Sequence, residues 1–163
     1  MAKEQANDIV KGGIIVMSDF PLDGTETREN FAWFLQMPTR WIDNDSYGHL
    51  NNAKYYTFFE NVIMTYLEHH CQLDTHSGPI RCFTAENGCR YHQALKYPQP
   101  VDVGLRVAKI GNSSVRYEMG LFAAERDAVA ATGFIVDVFV DAENERPISI
   151  PDDFRAALER VQA

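Results

Sequence analysis

The 163-residue chain predicts an α+β domain in which one antiparallel β-sheet wraps around a long central α-helix. Two observations carry that expectation. One helical run, "AKYYTFFENVIMTYLEHH" at 53–70, has an apolar stripe covering about half its circumference. Four strand-like segments with short connections follow it. Hydrophobic residues make up 45% of the chain and charged residues 23%, a mixture that buries a core. At this length one core is expected, not two.

The elements follow in order. Residues 1–30 mix Gly, Asp, Thr and Glu, and "FPLDGTETREN" carries turn signals without periodicity. An N-terminal arm or loop is therefore expected, ahead of a single domain over 31–163. "FAWFLQMPTRWID" is aromatic-rich and extended. Because Pro38 cannot donate to a strand ladder, the first strand is placed beyond it, at about 38–42, or on a sheet edge. In the helix, at ~100° per residue, Tyr55, Tyr56, Phe58, Phe59, Val62, Ile63, Tyr66 and Leu67 share one side. Lys54, Thr57, Asn61 and Glu68 share the other, and so wide a stripe needs a sheet to cover it.

"IRCFTAENGCRYHQAL", "VDVGLRVAKIG", "SSVRYEMGLFAAE" and "VAATGFIVDVFVD" alternate or are rich in β-branched residues, with turns such as "GNSS" and "ERDA" between them. Consecutive strands with short connections predict an antiparallel meander. In "RPISIPDDFRAALERVQA" a proline precedes an acidic first turn at Asp152–Asp153, which predicts a short terminal helix.

Lys and Arg number 15 against 23 Asp and Glu, for a net charge of −8. That field repels phosphate backbones and anionic lipid, so neither nucleic acid nor a membrane is an expected partner. A small anionic ligand stays open, since a few local cations or helix N-terminal amides can hold one. Ile14–Met17 is far shorter than the ~18 apolar residues of a span, and the start lacks the layout of a signal peptide. A cytoplasmic protein is expected. Cys71, Cys82 and Cys89 form no CxxC pair and are expected as free, mostly buried thiols.

Between the first strand and the helix lies "RWIDNDSYGHLNNAKYY", which packs two carboxylates, a histidine, a glycine and two asparagines together. Asp45 can attack a carbonyl or activate water, or it can cap the turn as Asp does before helices. Asp43 is expected to pair with Arg40 or to meet solvent. A metal site built from Asp43, Asp45 and His49 is not expected, because no second His or Cys falls at ligand spacing. His49 is expected to orient the turn, and Asn51 and Asn52 suit helix capping. Glu60 sits at the border of the apolar stripe, a poor place for an unpaired charge. His69, His70, His76 and His92 show no constellation and read as structural or surface groups.

The pattern Arg, aromatic, x, Asp, x, Asp, x, x, Gly, His, x, Asn, Asn, x, x, Tyr over Arg40–Tyr55 resembles the signature of hotdog-fold acyl-CoA thioesterases of the 4-hydroxybenzoyl-CoA thioesterase type. The resemblance runs from about Pro38 to Arg160, with "YHQALKYPQPVDVGLRVAKIGNSSVRYEM" and "RPISIP" similar in kind and order. It implies cofactor-free hydrolysis of an acyl-CoA or aryl-CoA thioester to free acid and CoA, with Asp45 as base or nucleophile. Gly48 would let backbone amides come close to a ligand carbonyl. The amides from Leu50 to Asn52, at the positive end of the helix, would stabilise the oxyanion. His49 and Asn52 complete the expected catalytic set. In another branch of these enzymes the working carboxylate comes from the central helix, which makes Glu60 a second candidate or a link across a dimer.

Tyr55, nearest the turn, is expected at the acyl group. Lys109, Ser113, Ser114 and Arg116 flank the "KIGNSSVR" turn, where relatives bring strands past coenzyme A. The resemblance further implies a homodimer or homotetramer with its site between protomers. The alternative is a non-catalytic acyl-CoA binding hotdog module. A hydratase on this fold would want a different acid and histidine arrangement on the helix. Two features depart from the pattern: Tyr47 is bulkier than its counterpart in many relatives, and the arm has no counterpart in the minimal domain.

Overall fold

The computed structural model describes residues 20–163, so the expected arm is followed only from Phe20, and Ile14–Met17 lies outside the described residues. The elements are β1 (Trp33–Met37), α1 (Asn52–Cys71), β2 (Ile80–Tyr91), β3 (Val101–Ile110), β4 (Ser114–Ala123), β5 (Val129–Asp141) and α2 (Asp152–Glu159). The strands form one sheet in the order β1-β3-β4-β5-β2, and every neighbouring pair is antiparallel. The α+β architecture read from the sequence holds. No helix of the described residues is long and apolar enough to cross a membrane.

Asn51 starts α1 by accepting the Ala53 amide on its side chain at 3.0 Å, and Gln72, with φ 56°, ends it. Of the expected stripe, Tyr55, Phe58, Phe59, Val62, Ile63, Tyr66 and Leu67 are buried and Tyr56 half-buried. They pack on Leu105, Val115, Tyr117, Met119, Ile135 and Phe139 of the inner sheet face in one core. Fully burying such a side chain stabilises the fold by roughly 1.5–3 kcal/mol. The helix approaches closely, since a Cβ at Gly133 would lie 2.3 Å from the Phe59 ring.

Two expectations need correction. The first strand lies before Pro38, not after it: β1 pairs with β3 at the sheet edge through Trp33–Met37, and a turn of 3-10 helix occupies Trp41–Asp43. Pro38 ends the strand because it has no N–H to give. The edge placement itself was legible. The meander is also shorter than expected, because only β3, β4 and β5 are sequential neighbours while β2 pairs with β5 on the far edge. After Tyr91 the chain passes the start of α1, where Leu95 is buried and its carbonyl accepts the Leu50 amide at 2.7 Å. That detour carries the chain away from β2 before β3 begins.

Residues 20–31 lie on the other face of the sheet. Phe20 and Leu22 pack with Phe134, while Phe31 packs with Phe122. The Arg90 guanidinium stacks over Phe20 at 4.5 Å, and Arg116 over Phe134 at 4.0 Å. This part of the arm is thus a layer of the fold.

Candidate active site

The stretch Arg40–Asn52 is held by its own polar side chains. Asp43 is 2% exposed; it accepts the Arg40 amide at 2.7 Å and pairs with the Arg40 guanidinium at 2.8 Å. That hydrogen-bonded partner holds the Asp43 carboxyl below the ordinary carboxylate range. The expected pairing of Asp43 with Arg40 is therefore present, and it fixes the approach to the next turn.

Asp45 Oδ1 accepts the amides of Tyr47 at 2.8 Å and His49 at 3.2 Å, while the Asp45 amide donates to the His49 carbonyl at 2.8 Å. The capping role is real. It engages one carboxylate oxygen, and Oδ2 has no protein partner among the described residues. Gly48 adopts φ +78°, which strains any residue with a Cβ, and a Cβ there would meet nothing within 4 Å. The turn therefore needs glycine for its backbone and leaves the space in front of it open.

Asp45, His49, Leu50, Asn52 and Tyr55 line a cleft of about 360 Å³, joined from across the helix start by Tyr91, His92, Gln93 and Ala94. Tyr55 is 3% exposed and forms the inner wall, its ring 4.9 Å from that of Tyr91; burial pushes its phenol up to about 12. The Tyr91 hydroxyl donates to the Asn52 carbonyl at 3.3 Å. His92 is half-buried, with Nε2 3.0 Å from the Thr132 hydroxyl, and burial holds its imidazole below the ordinary range.

The oxyanion expectation is narrowed by this geometry. The Leu50 amide is bound to the Leu95 carbonyl and the Asn51 amide to the Asp43 carbonyl, at 2.7 and 2.8 Å. Neither can serve a ligand. The Asn52 amide donates to no protein group among the described residues and sits at the first turn of α1, where the helix end carries partial positive charge.

The structure thus brings Asp45, His49, Asn52 and Tyr55 together beside Gly48. It places Glu60 two turns further along α1, where burial raises its carboxyl. Lys109, Ser113, Ser114 and Arg116 lie at the opposite end of the sheet, because Ser114 pairs with Val138 whereas Tyr91 pairs with Ala131. Sequence reasoning missed Tyr91, His92, Gln93 and Ala94. No local pattern marks them, since they reach the cleft through the long-range Leu50–Leu95 bond. All three cysteines are free, and burial raises the thiols of Cys71 and Cys89 to about 11 and of Cys82 to about 12. Among the described residues no group of three or more His, Cys, Asp or Glu could hold a metal ion.

Residues 38–158 match the family described as the thioesterase-like superfamily. The PA5185 protein of Pseudomonas aeruginosa is 41% identical with a TM-score of 0.83, over 84% of this chain and 96% of that one. The PA2801 protein of the same organism is 28% identical with a TM-score of 0.73, over 78% and 98%. Slr0204, a 1,4-dihydroxy-2-naphthoyl-CoA thioesterase from Synechocystis, is 11% identical with a TM-score of 0.70, over 77% and 94%, a likeness of fold.

Proposed function

The chain belongs to the thioesterase-like superfamily, and on that premise we propose that it hydrolyses an acyl-CoA or aryl-CoA thioester through Asp45. The hotdog fold and the family support thioester hydrolysis as the reaction. One observation carries the finer reading: a carboxylate with one oxygen free and a helix-start amide without a partner line the same cleft.

In this reading Asp45 Oδ1 stays engaged by the turn while Oδ2 attacks the thioester carbonyl or takes a proton from water. The Asn52 amide receives the carbonyl oxygen as it gains charge, helped by the α1 dipole. His49 holds the turn through its backbone, and Tyr55 and Tyr91 flank the acyl group. When Oδ2 attacks, the C–S bond breaks to release CoA thiolate, and water then cleaves the acyl anhydride to free the acid. When Oδ2 takes a proton from the attacking water, that proton passes to the sulfur as the C–S bond breaks.

We assign the working unit to a homodimer or homotetramer. The edge strand β2 is exposed over 83–87, a row of backbone groups with no strand on its outer side among the described residues, suited to pairing with a second copy. Lys109, Ser113, Ser114 and Arg116 are too far along the sheet to serve the cleft of their own chain. They take part only in a site assembled across protomers, against the phosphates of coenzyme A. Glu60 is the second candidate carboxylate.

The capping bonds of Asp45 favour a rival, a module that binds acyl-CoA without turnover. Thiol release from a panel of acyl-CoAs by wild type and Asp45→Asn separates them. Turnover lost in the variant supports the enzyme, binding without turnover supports the module, and a fully active variant removes Asp45 from the chemistry.

A further inference from the structure

The inner face of the sheet carries a polar patch beneath the edge strand. The β2–β5 register shifts between Thr84 and Glu86, a bulge that loosens the edge at this point. Beside it Asp137 of β5, 2% exposed, accepts the Thr84 hydroxyl on Oδ1 at 2.9 Å. Tyr117 of β4 pairs with Ile135 and Asp137 with Val115, so the Tyr117 and Asp137 side chains project diagonally from one face. Tyr117 is fully buried, and its hydroxyl has no hydrogen-bond partner among the described residues.

Glu60 of α1 completes the patch and forms no ion pair among the described residues. Burial raises both carboxyls, Asp137 to about 6, with Glu60 adding to the shift at Asp137. Asp137 is the foremost charged neighbour acting on the Tyr117 phenol, and Glu60 acts on it too. Glu60 is exposed at the rim of the patch, whereas the unmet buried Tyr117 hydroxyl beside buried Asp137, which has no cation partner among the described residues, is a costly arrangement for a core. It is the arrangement expected where a ligand completes the bonding.

The patch and the cleft lie on one seam between α1 and β2. Tyr55 meets Tyr91 at the cleft end, and Tyr56 of α1 and Cys89 of β2 both pack against the same core. Glu60 follows, about 12 Å from Asn52 along the helix at ~1.5 Å per residue.

We propose, resting on the thioesterase reading, that the patch is the far end of the acyl site and selects an acyl chain bearing a hydroxyl remote from its thioester. A hydroxyl donates to Asp137 Oδ2 or Glu60 and accepts from the Tyr117 O–H. An alkyl end meets none of the three, and an ammonium answers the acids but has no lone pair for the Tyr117 proton. An extended chain covers ~3.5 Å per three bonds, so the distance corresponds to about ten bonds.

The test compares kcat/KM for ω-hydroxydecanoyl-CoA, decanoyl-CoA and ω-aminodecanoyl-CoA in wild type, Tyr117→Phe and Asp137→Asn. Wild type is expected to favour the hydroxy ester over the alkyl ester by about tenfold or more, and over the amino ester as well. The hydroxy-to-alkyl ratio is expected to fall to near one in both variants. Equal rates in wild type, preference for the amino ester, or a ratio unchanged in Tyr117→Phe overturns the proposal. Tyr117→Phe removes a single oxygen that makes no hydrogen bond among the described residues, so it remains folded and the comparison holds. If wild type cleaves no ester, the thioesterase reading fails and binding of the matching non-hydrolysable thioethers decides the patch. A hydroxy preference lost in Tyr117→Phe supports it, and no preference overturns it.

Discussion

At the scale of single residues, three carboxylates sit in different surroundings. Asp43 is buried and paired with Arg40, which makes it a strut. Asp45 divides its oxygens between the turn and the cleft. Asp137 is buried with a single hydroxyl partner, and burial raises it to about 6. A carboxyl raised in the folded state binds its proton more tightly there, so stability falls as pH rises from the unfolded value of 3.8 to about 6. Ionising Asp137 costs on the order of 3 kcal/mol. Asp137→Asn keeps an acceptor for Thr84 and cannot ionise. Denaturant melts should show it more stable than wild type at pH 8 by on the order of 2 kcal/mol, and no more stable near pH 3. An advantage that persists undiminished at low pH would remove ionisation as its cause.

At the scale of elements, α1 and its contact with β5 set the position of everything else. Gly133 lets the Phe59 ring lie directly on the strand backbone, so Gly133→Ala forces ring or strand to move. A loss of roughly 1–3 kcal/mol is expected in urea unfolding, and a neutral variant would show that α1 is not seated there. The helix was legible because Tyr55, Phe58, Phe59, Val62, Ile63, Tyr66 and Leu67 repeat with the helical period, a property of the local chain. Its cap at Asn51 was legible for the same reason. Strand pairing is not a local property. Nothing in "IRCFTAENGCRY" says that it will join β5 at the far edge, and the signal of Pro38 fits a strand on either side of it. The site divides likewise. Asp45, Gly48, His49 and Asn52 form one contiguous signature, whereas His92 and Gln93 arrive through a bond between Leu50 and Leu95.

At the scale of the whole molecule, the sheet carries α1 on its inner face and residues 20–31 on the other, with β2 at one edge. If that edge pairs two copies, wild type sediments as a dimer or a multiple of it. Phe83 is 45% exposed at this edge, and Phe83→Lys, which brings like charges together there, shifts the protein toward monomer in analytical ultracentrifugation. A variant that stays dimeric would move the interface elsewhere. The central claim is that the free oxygen of Asp45 does chemistry on a thioester, and release of free thiol from acyl-CoA substrates by wild type and Asp45→Asn tests it most directly. Asparagine keeps an acceptor for the Tyr47 and His49 amides, so circular dichroism should be unchanged while kcat falls by about a hundredfold or more. Undiminished turnover in a folded Asp45→Asn protein would contradict the account.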